Sequence, residues 1–242
     1  MAKEHKIVSA DDGPAKKPTA QTHNVRPAPA RGNAGGLRAG AVVLWIFAIV
    51  FEVLAVLVLF GKISLTFMPV LYQLIAFLVL DLVCVVIGSA LWKKANHIAP
   101  ASERNKAKFW LWNNMGLIVA IFAFVPLVVL LLTNKDLDKR TKVICTVVAA
   151  IALLIGGAAS IDYDPVSQEQ LSTAEYVLGD TVVYWAPFGK VYHTHEDCQA
   201  LNNSETLTAG TVDQAIEANR TRLCSFCARR DNITELATDN AA

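Results

Sequence analysis

Residues 39–60 read AGAVVLWIFAIVFEVLAVLVLF, 22 positions with a single charged residue, Glu52. A helix needs about 20 apolar residues to cross the hydrocarbon core of a bilayer. Three more windows of this kind follow, at 68–92, 109–133 and 143–161. Hydrocarbon offers no water to satisfy backbone N–H and C=O groups, so each window must be helical. The connectors at 61–67, 93–108 and 134–142 are short, which makes consecutive helices antiparallel neighbours. The expected fold is an α-helical membrane protein with four transmembrane helices. Across the chain 54% of residues are apolar and 18% charged, against about 25% charged in an ordinary soluble domain. That excludes a purely soluble protein, a disordered chain and a disulfide-rich miniprotein.

Lys and Arg near the helix ends set orientation. With the N-terminus inside, the inner flanks carry 8 of them and the outer flanks 5. This favours a multi-pass protein of the cell membrane with both termini cytoplasmic, although the third connector (Lys135, Lys139, Arg140, Lys142) opposes it. Trp45, Trp92, Trp110 and Trp112 fall at one membrane face if the four crossings alternate, as interfacial indoles do. Residues 1–38, rich in Ala, Pro, Gly, Lys and Arg, read as a disordered basic arm. Their basic residues are scattered, which suits a solvated, orienting arm better than a lipid-binding tether. No cleavable signal is expected, because the first apolar run begins late and is too long.

Glu52 and Asp81 are acids inside apolar windows that contain no Lys, Arg or His. They read either as a proton or cation relay between the first two helices or as carboxyls hydrogen-bonded within the bundle. Pro126 predicts a kink in the third helix. Ala152, Gly156 and Ser160 put small residues on one stripe of the fourth, for internal packing or for a homo-oligomer contact. Cys84 and Cys145 read as small buried apolar residues.

The charge is divided along the chain. Residues 1–161 hold 17 Lys/Arg and 8 Asp/Glu, a balance of +9; residues 162–242 hold 5 and 13, a balance of −8. An acidic tail repels phosphate backbones, so no nucleic-acid partner is expected. Within it, 162–180 reads as a linker, 181–230 as a small α+β module and 231–242 as a disordered end. TVVYW at 181–185, the turn APFG at 186–189 and KVYH at 190–193 predict a β-hairpin. Residues 204–207 suit a short strand. Thr211 and Gln214 form a capping-box pattern at the start of a helix over 211–219.

That helix leads to RLCSFC at 222–227. Cys224 and Cys227 form C-x2-C, Cys198 lies 26 positions earlier, and His193 and His195 precede Cys198. Tetrahedral Zn2+ takes four N or S ligands, usually as two close pairs from separate elements. One pair is Cys224 and Cys227; the other is Cys198 with a histidine. His193, at the strand end, is favoured over His195. Three thiolates and one imidazole leave a zinc complex near −1. The module has few large apolar residues, so the metal would supply folding free energy that its core lacks. A C-x2-C can also be a redox pair, but no βαβ pattern surrounds this one. A disulfide would leave one of the three tail cysteines unpaired.

The stretch VYWAPFGKVYHTHEDCQAL, followed by GTVDQAIEANRTRLCSFC, resembles a small zinc-binding module found at the ends of many bacterial proteins. It is also similar to the metal-binding N-terminal domain of Ada-type DNA-repair proteins, which has a strand, a pair of metal cysteines, a helix and a closing C-x2-C. The similarity covers about 182–227. It implies that His193, Cys198, Cys224 and Cys227 occupy the ligand positions, with His193 where the Ada domain has a cysteine. Ada methyl-acceptor chemistry needs a metal-activated thiolate in a basic DNA-binding setting, so only the metal site carries over.

The reading is a bacterial integral membrane scaffold or sensor, not an enzyme, with a structural zinc module in its tail. Its partners are the lipid bilayer and a protein at the C-terminal module, near Arg229 and Arg230. Four filled N/S positions leave no open site for catalytic zinc, and Glu196 and Asp197 read as solvated turn residues. The rival is a proton- or ion-coupled transporter or channel using Glu52 and Asp81, with the zinc module as regulator.

Overall fold

The computed structural model describes residues 6–10, 33–63 and 66–237. The rest of the basic arm (1–5 and 11–32) and residues 238–242, expected to be disordered, lie outside the described residues. The chain divides into two compact units.

The first unit holds residues 33–95 and 106–163. Its helices are α1 (Ala34–Leu59), α2 (Val70–Ile98), α3 (Lys106–Asn113), α4 (Met115–Thr133) and α5 (Lys139–Ser160). Four of them, α1, α2, α4 and α5, are long and apolar enough to cross a membrane. Their ends differ from the apolar windows because polar caps extend the helices. The Asn33 side chain accepts the Gly36 N–H at 2.8 Å, so α1 starts at Ala34. The Asp138 carboxylate accepts the Thr141 N–H at 2.9 Å, so α5 starts at Lys139. Both are N-caps that satisfy otherwise orphaned amides. The third window is interrupted at Asn113–Asn114 and becomes α3 and α4. Lys93 of α2 donates to the Ala159 carbonyl at 2.6 Å. That is a cation placed on the free carbonyls at the C-terminus of α5.

The interior of this unit alternates small and large side chains. Ala41, Ala48 and Ala55 recur every seven residues of α1, and Ala120, Ala123, Cys145, Ala149 and Ala152 line α4 and α5; all are buried. Leu74, Leu78, Phe124, Leu127 and Leu131 fill the space between. The Ala152–Gly156–Ser160 stripe is occupied from within the chain. A Cβ at Gly156 would meet Phe124 at 3.3 Å and Leu82 at 3.4 Å, and the Ser160 and Ser89 hydroxyls share a hydrogen bond of 2.8 Å. Trp45, Trp92 and Trp112 gather with ring centroids 5.2 Å apart in each successive pair. The Arg38 guanidinium lies over two of these rings, while Trp110 is exposed. The outward faces are apolar too: Ile46, Val50 and Val53 on α1, Val83 and Ile87 on α2, Phe122 and Val129 on α4, and Val147, Ile151 and Leu154 on α5 are exposed. A water-soluble bundle carries charge on those faces.

The second unit gathers 6–10, 96–105 and 164–237 among the described residues. Its elements are β1 (Lys6–Ser9), α6 (Gln168–Leu178), β2 (Val183–Trp185), β3 (Val191–Tyr192), β4 (Thr206–Gly210), α7 (Val212–Glu217), β5 (Arg222–Leu223) and α8 (Ser225–Arg230). One sheet has the order β1-β4-β2, with β1 parallel and β2 antiparallel to β4. A second pairs β3 with β5 in parallel. The expected hairpin is joined at Tyr184 and His193, which exchange both backbone hydrogen bonds at 2.7 Å. Its turn closes with the Gly189 N–H on the Ala186 carbonyl at 3.2 Å, with Pro187 at the position where its fixed φ favours a turn. Arg220 donates to the carbonyls of Ala186, at 3.0 Å, and of Pro187. The Thr211–Gln214 capping box forms as expected.

Four segments depart from the sequence reading. The stretch read as a linker contains α6, opened by a complete capping box of Ser167 and Gln170. Leu171, Ala174 and Leu178 on one face of α6 join the core with Trp185, Tyr192, Leu207 and Ile216. The strand expected at 204–207 starts at Thr206 and runs to Gly210, where a Cβ would stand 2.9 Å from the Trp185 ring. In the stretch read as a disordered end, a 3-10 turn at Thr234–Ala237 buries Leu236 against the core. Part of the basic arm, β1, lies along β4, with Lys6 opposite Thr206 and Ser9 opposite Ala209, and Ile7 packs on the core. The connector 96–105 is also tied in: Ala101 O accepts the Gln168 N–H at 3.0 Å, and Glu169 accepts from the Glu103 N–H at 2.9 Å and from the Ser102 hydroxyl. The Ser102 hydrogen bond, then that from Glu103, holds the Glu169 carboxyl below its ordinary value.

Ile7→Asp sets a charge against this core and should loosen β1. We expect a loss of about 1–3 kcal/mol in local stability, read as faster amide exchange along β4 in the full-length protein. Unchanged exchange would show that β1 adds nothing to the unit.

Candidate metal centre

The parallel pairing of β3 with β5 sets the register of the centre. Val191 faces Arg222 and Tyr192 faces Leu223, so the next residues, His193 and Cys224, leave the two strands side by side. The Cys224 N–H closes the ladder on the Tyr192 carbonyl at 2.9 Å. His193 is fixed from its other side by the two backbone bonds to Tyr184. Cys224 caps α8, and Cys227 lies three residues on, within its first turn. That spacing puts both thiols on one face. Cys198 opens a 3-10 turn at Gln199–Leu201, and its carbonyl accepts the Leu201 N–H at 2.8 Å.

These elements bring His193, Cys198, Cys224 and Cys227 together, with their donor atoms all within 4.8 Å of one another and all four residues buried. Cys198 Sγ is 4.0 Å from Cys224 Sγ, and Cys227 Sγ is 3.8 Å from His193 Nδ1. Zinc–sulfur bonds of about 2.3 Å in a tetrahedron give sulfur–sulfur edges of roughly 3.8 Å. The two separations of 4.0 and 3.8 Å are close to such edges. The cluster is too open for a disulfide, whose S–S bond is about 2.05 Å, and the cysteines are free thiols.

Electrostatics fit the same role. Burial pushes the His193 imidazole down to about 4, so at neutral pH it has a lone pair to donate. Burial, followed by the neighbouring thiols, pushes the Cys198 thiol up to about 12. A divalent ion held by His193, Cys198, Cys224 and Cys227 would take the three sulfurs as thiolates, with release of their protons.

His195, the second candidate, turns elsewhere. Its Nε2 pairs with Asp231 Oδ1 at 2.6 Å, and Thr194 also bonds the Asp231 carboxylate. Burial acts to raise the Asp231 carboxyl, but the bonds from Thr194 and His195 outweigh it and hold the group below its ordinary value. Arg230 donates to Asp197 at 2.9 Å. Together these contacts tie the loop that carries Cys198 to the end of the helix that carries Cys227. Sequence alone gives Asp231 no role and reads Asp197 as a solvated turn residue. Their signal was weak, since an acid after a helix is usually solvated. Comparison of the chain with protein families, curated proteins and solved structures finds no match, and none places it with the Ada-type domain.

Proposed function

We propose that the chain is an integral membrane scaffold or sensor whose tail module is stapled by a structural Zn2+ on His193, Cys198, Cys224 and Cys227, and that it acts without catalysis by docking a protein partner. The observation that carries this reading is the convergence of one imidazole and three thiols, all buried, with donor atoms within 4.8 Å of one another. Soft thiolates with one imidazole select zinc among the common divalent ions. Four protein donors complete the shell and leave no position for a reacting water. The resemblance to Ada-type domains supports the metal site alone, because a tail of charge −8 does not suit DNA.

The apolar outer faces of α1, α2, α4 and α5 support insertion in the bilayer. Four crossings return the chain to its starting side, in agreement with β1 pairing to β4 from the opposite end of the sequence. The connector 96–105 belongs to the same compact unit as α6. These flanks carry the Lys/Arg majority, which supports a cytoplasmic module, where free thiols persist. For a partner, Phe188 at the tip of the 186–189 turn is fully exposed, and Phe226, between two ligands, is 44% exposed under the Arg229 guanidinium. Aromatic and Arg side chains are the usual anchors of protein interfaces. Self-association through α5 would use its outward face, Val147 and Leu154, because the small-residue stripe is filled.

The test is the metal content of the full-length protein in detergent. One zinc per chain is expected, lost in His193→Ala and in Cys224→Ser and retained in His195→Ala. Zinc lost in His195→Ala but kept in His193→Ala would reverse the ligand assignment, and a chain that folds without metal would remove the reading.

A further inference from the structure

The helical unit holds one carboxyl that its own contacts leave unexplained. Asp81 lies on the inward face of α2, three residues after Leu78 and four before Val85, both members of the bundle core. It is 1% exposed, and both carboxyl oxygens are buried without a hydrogen-bond partner. Glu52, half-buried on α1, is close enough to act on it electrostatically. Among the described residues, no fixed cation balances the pair. The helix α4 contains no ionisable side chain, and α5 contributes Lys139, Arg140, Lys142 and Cys145 at its start. On α2 itself the neighbours in sequence are Tyr72 and Cys84, and Lys93 stands 12 residues away, about 18 Å along the axis; its ammonium is spent on the Ala159 carbonyl. On α1 the remaining charge, Arg38, is held over Trp92 and Trp112.

A buried carboxylate with neither a donor nor a cation is strongly disfavoured, and intramembrane acids persist where they exchange a ligand. A proton is the ligand that fits. It adds to one oxygen and neutralises the charge, and it needs no coordination shell. A sodium ion would require several oxygens, whereas the buried cluster to which Leu78 and Val85 belong is built of Leu, Val, Ala and Phe with Cys145.

We propose that Asp81, the buried and unpartnered carboxyl of α2, is an exchangeable proton-binding site inside the four-helix unit. The proposal is independent of the metal centre and stands or falls separately.

Dicyclohexylcarbodiimide tests it, because an acid O–H adds across the carbodiimide C=N when the carboxyl is protonated in apolar surroundings. The full-length protein in liposomes is treated at a series of pH values, and the adduct is located by peptide mass. We expect an adduct on Asp81 that forms faster at lower pH, is indifferent to sodium, and is lost in Asp81→Asn. Glu52→Gln should keep the adduct on Asp81 but displace its pH profile, a change that a purely structural Glu52 would not produce. Absence of the adduct at every pH, labelling independent of pH, or protection by sodium at fixed pH would each overturn the proposal. If Asp81→Asn fails to insert, labelling of the unaltered chain at Asp81 still decides it.

Discussion

Removing the metal from the full-length chain should melt the part of the tail unit built on β3, β5 and α8 while leaving the four long helices intact. The magnitudes make this the largest effect available. Structural zinc contributes roughly 10–16 kcal/mol in zinc-finger peptides, while a whole domain is stable by only about 5–15 kcal/mol. Losing even part of the first can exhaust the second. The strands β3 and β5 are two residues each, and α8 has six, too short to persist without a link such as a shared ion between them. Cys224→Ser should act like a chelator. It removes one donor and leaves three buried ligands facing a site they can no longer fill. The change should appear as lost near-ultraviolet dichroism from Tyr192 of β3 and as protease cleavage near 190–230, with far-ultraviolet helix signal retained. Acid should work in the same direction. His193 is held at about 4 by burial, while an unfolded histidine titrates near 6.5. The unfolded chain takes up that proton first, so stability falls as pH drops from the unfolded value toward 4. Protons also compete with the metal for the thiolates.

The second large effect is expected from Gly116→Val. Gly116 lies at the start of α4 where a Cβ would stand 2.8 Å from Ser89 Cβ and 3.2 Å from Ser160 Cβ. Those two serines share the buried hydrogen bond between α2 and α5. A valine must push them apart. Overpacking a tight core costs about 1–3 kcal/mol, and a buried hydroxyl left without a partner costs about 1–3 kcal/mol more. Gly157→Ala is the control, since its Cβ would meet Leu117 at an ordinary 3.6 Å. We expect Gly116→Val to lower the unfolding midpoint in detergent markedly and Gly157→Ala to leave it unchanged or slightly raised. Equal effects in the two variants would contradict the packing described for this end of the unit.

What could be read in advance follows from how local each signal is. The four apolar windows announce four helices because hydrocarbon permits nothing else at that length. The capping box at Thr211 and Gln214 depends on residues three apart and forms as its pattern predicts. The same pattern stands at Ser167 and Gln170, followed by Leu171, Ala174 and Leu178 on one face, yet the polar composition around it masks α6. Asn113 and Asn114 interrupt a window that is otherwise apolar enough to read through, so composition merges α3 with α4. Non-local structure is the least legible. Lys6–Ser9 is four residues long, and its partner, Thr206–Ala209, lies about two hundred positions away; nothing in KIVS indicates a pairing at that distance. The metal centre shows both cases. The C-x2-C spacing marks Cys224 and Cys227 directly, whereas the choice between His193 and His195 depends on the β3–β5 register, which two-residue strands do not reveal. The Asp231 partner of His195 needs the fold itself.

The most direct test of the account is X-ray absorption at the zinc edge of the full-length protein. It should show a four-coordinate ion with three sulfurs at about 2.3 Å and one nitrogen at about 2.0 Å, with the nitrogen shell lost in His193→Cys and kept in His195→Ala. A shell of oxygen donors, a nitrogen that persists without His193, or no bound zinc in the folded chain would contradict it.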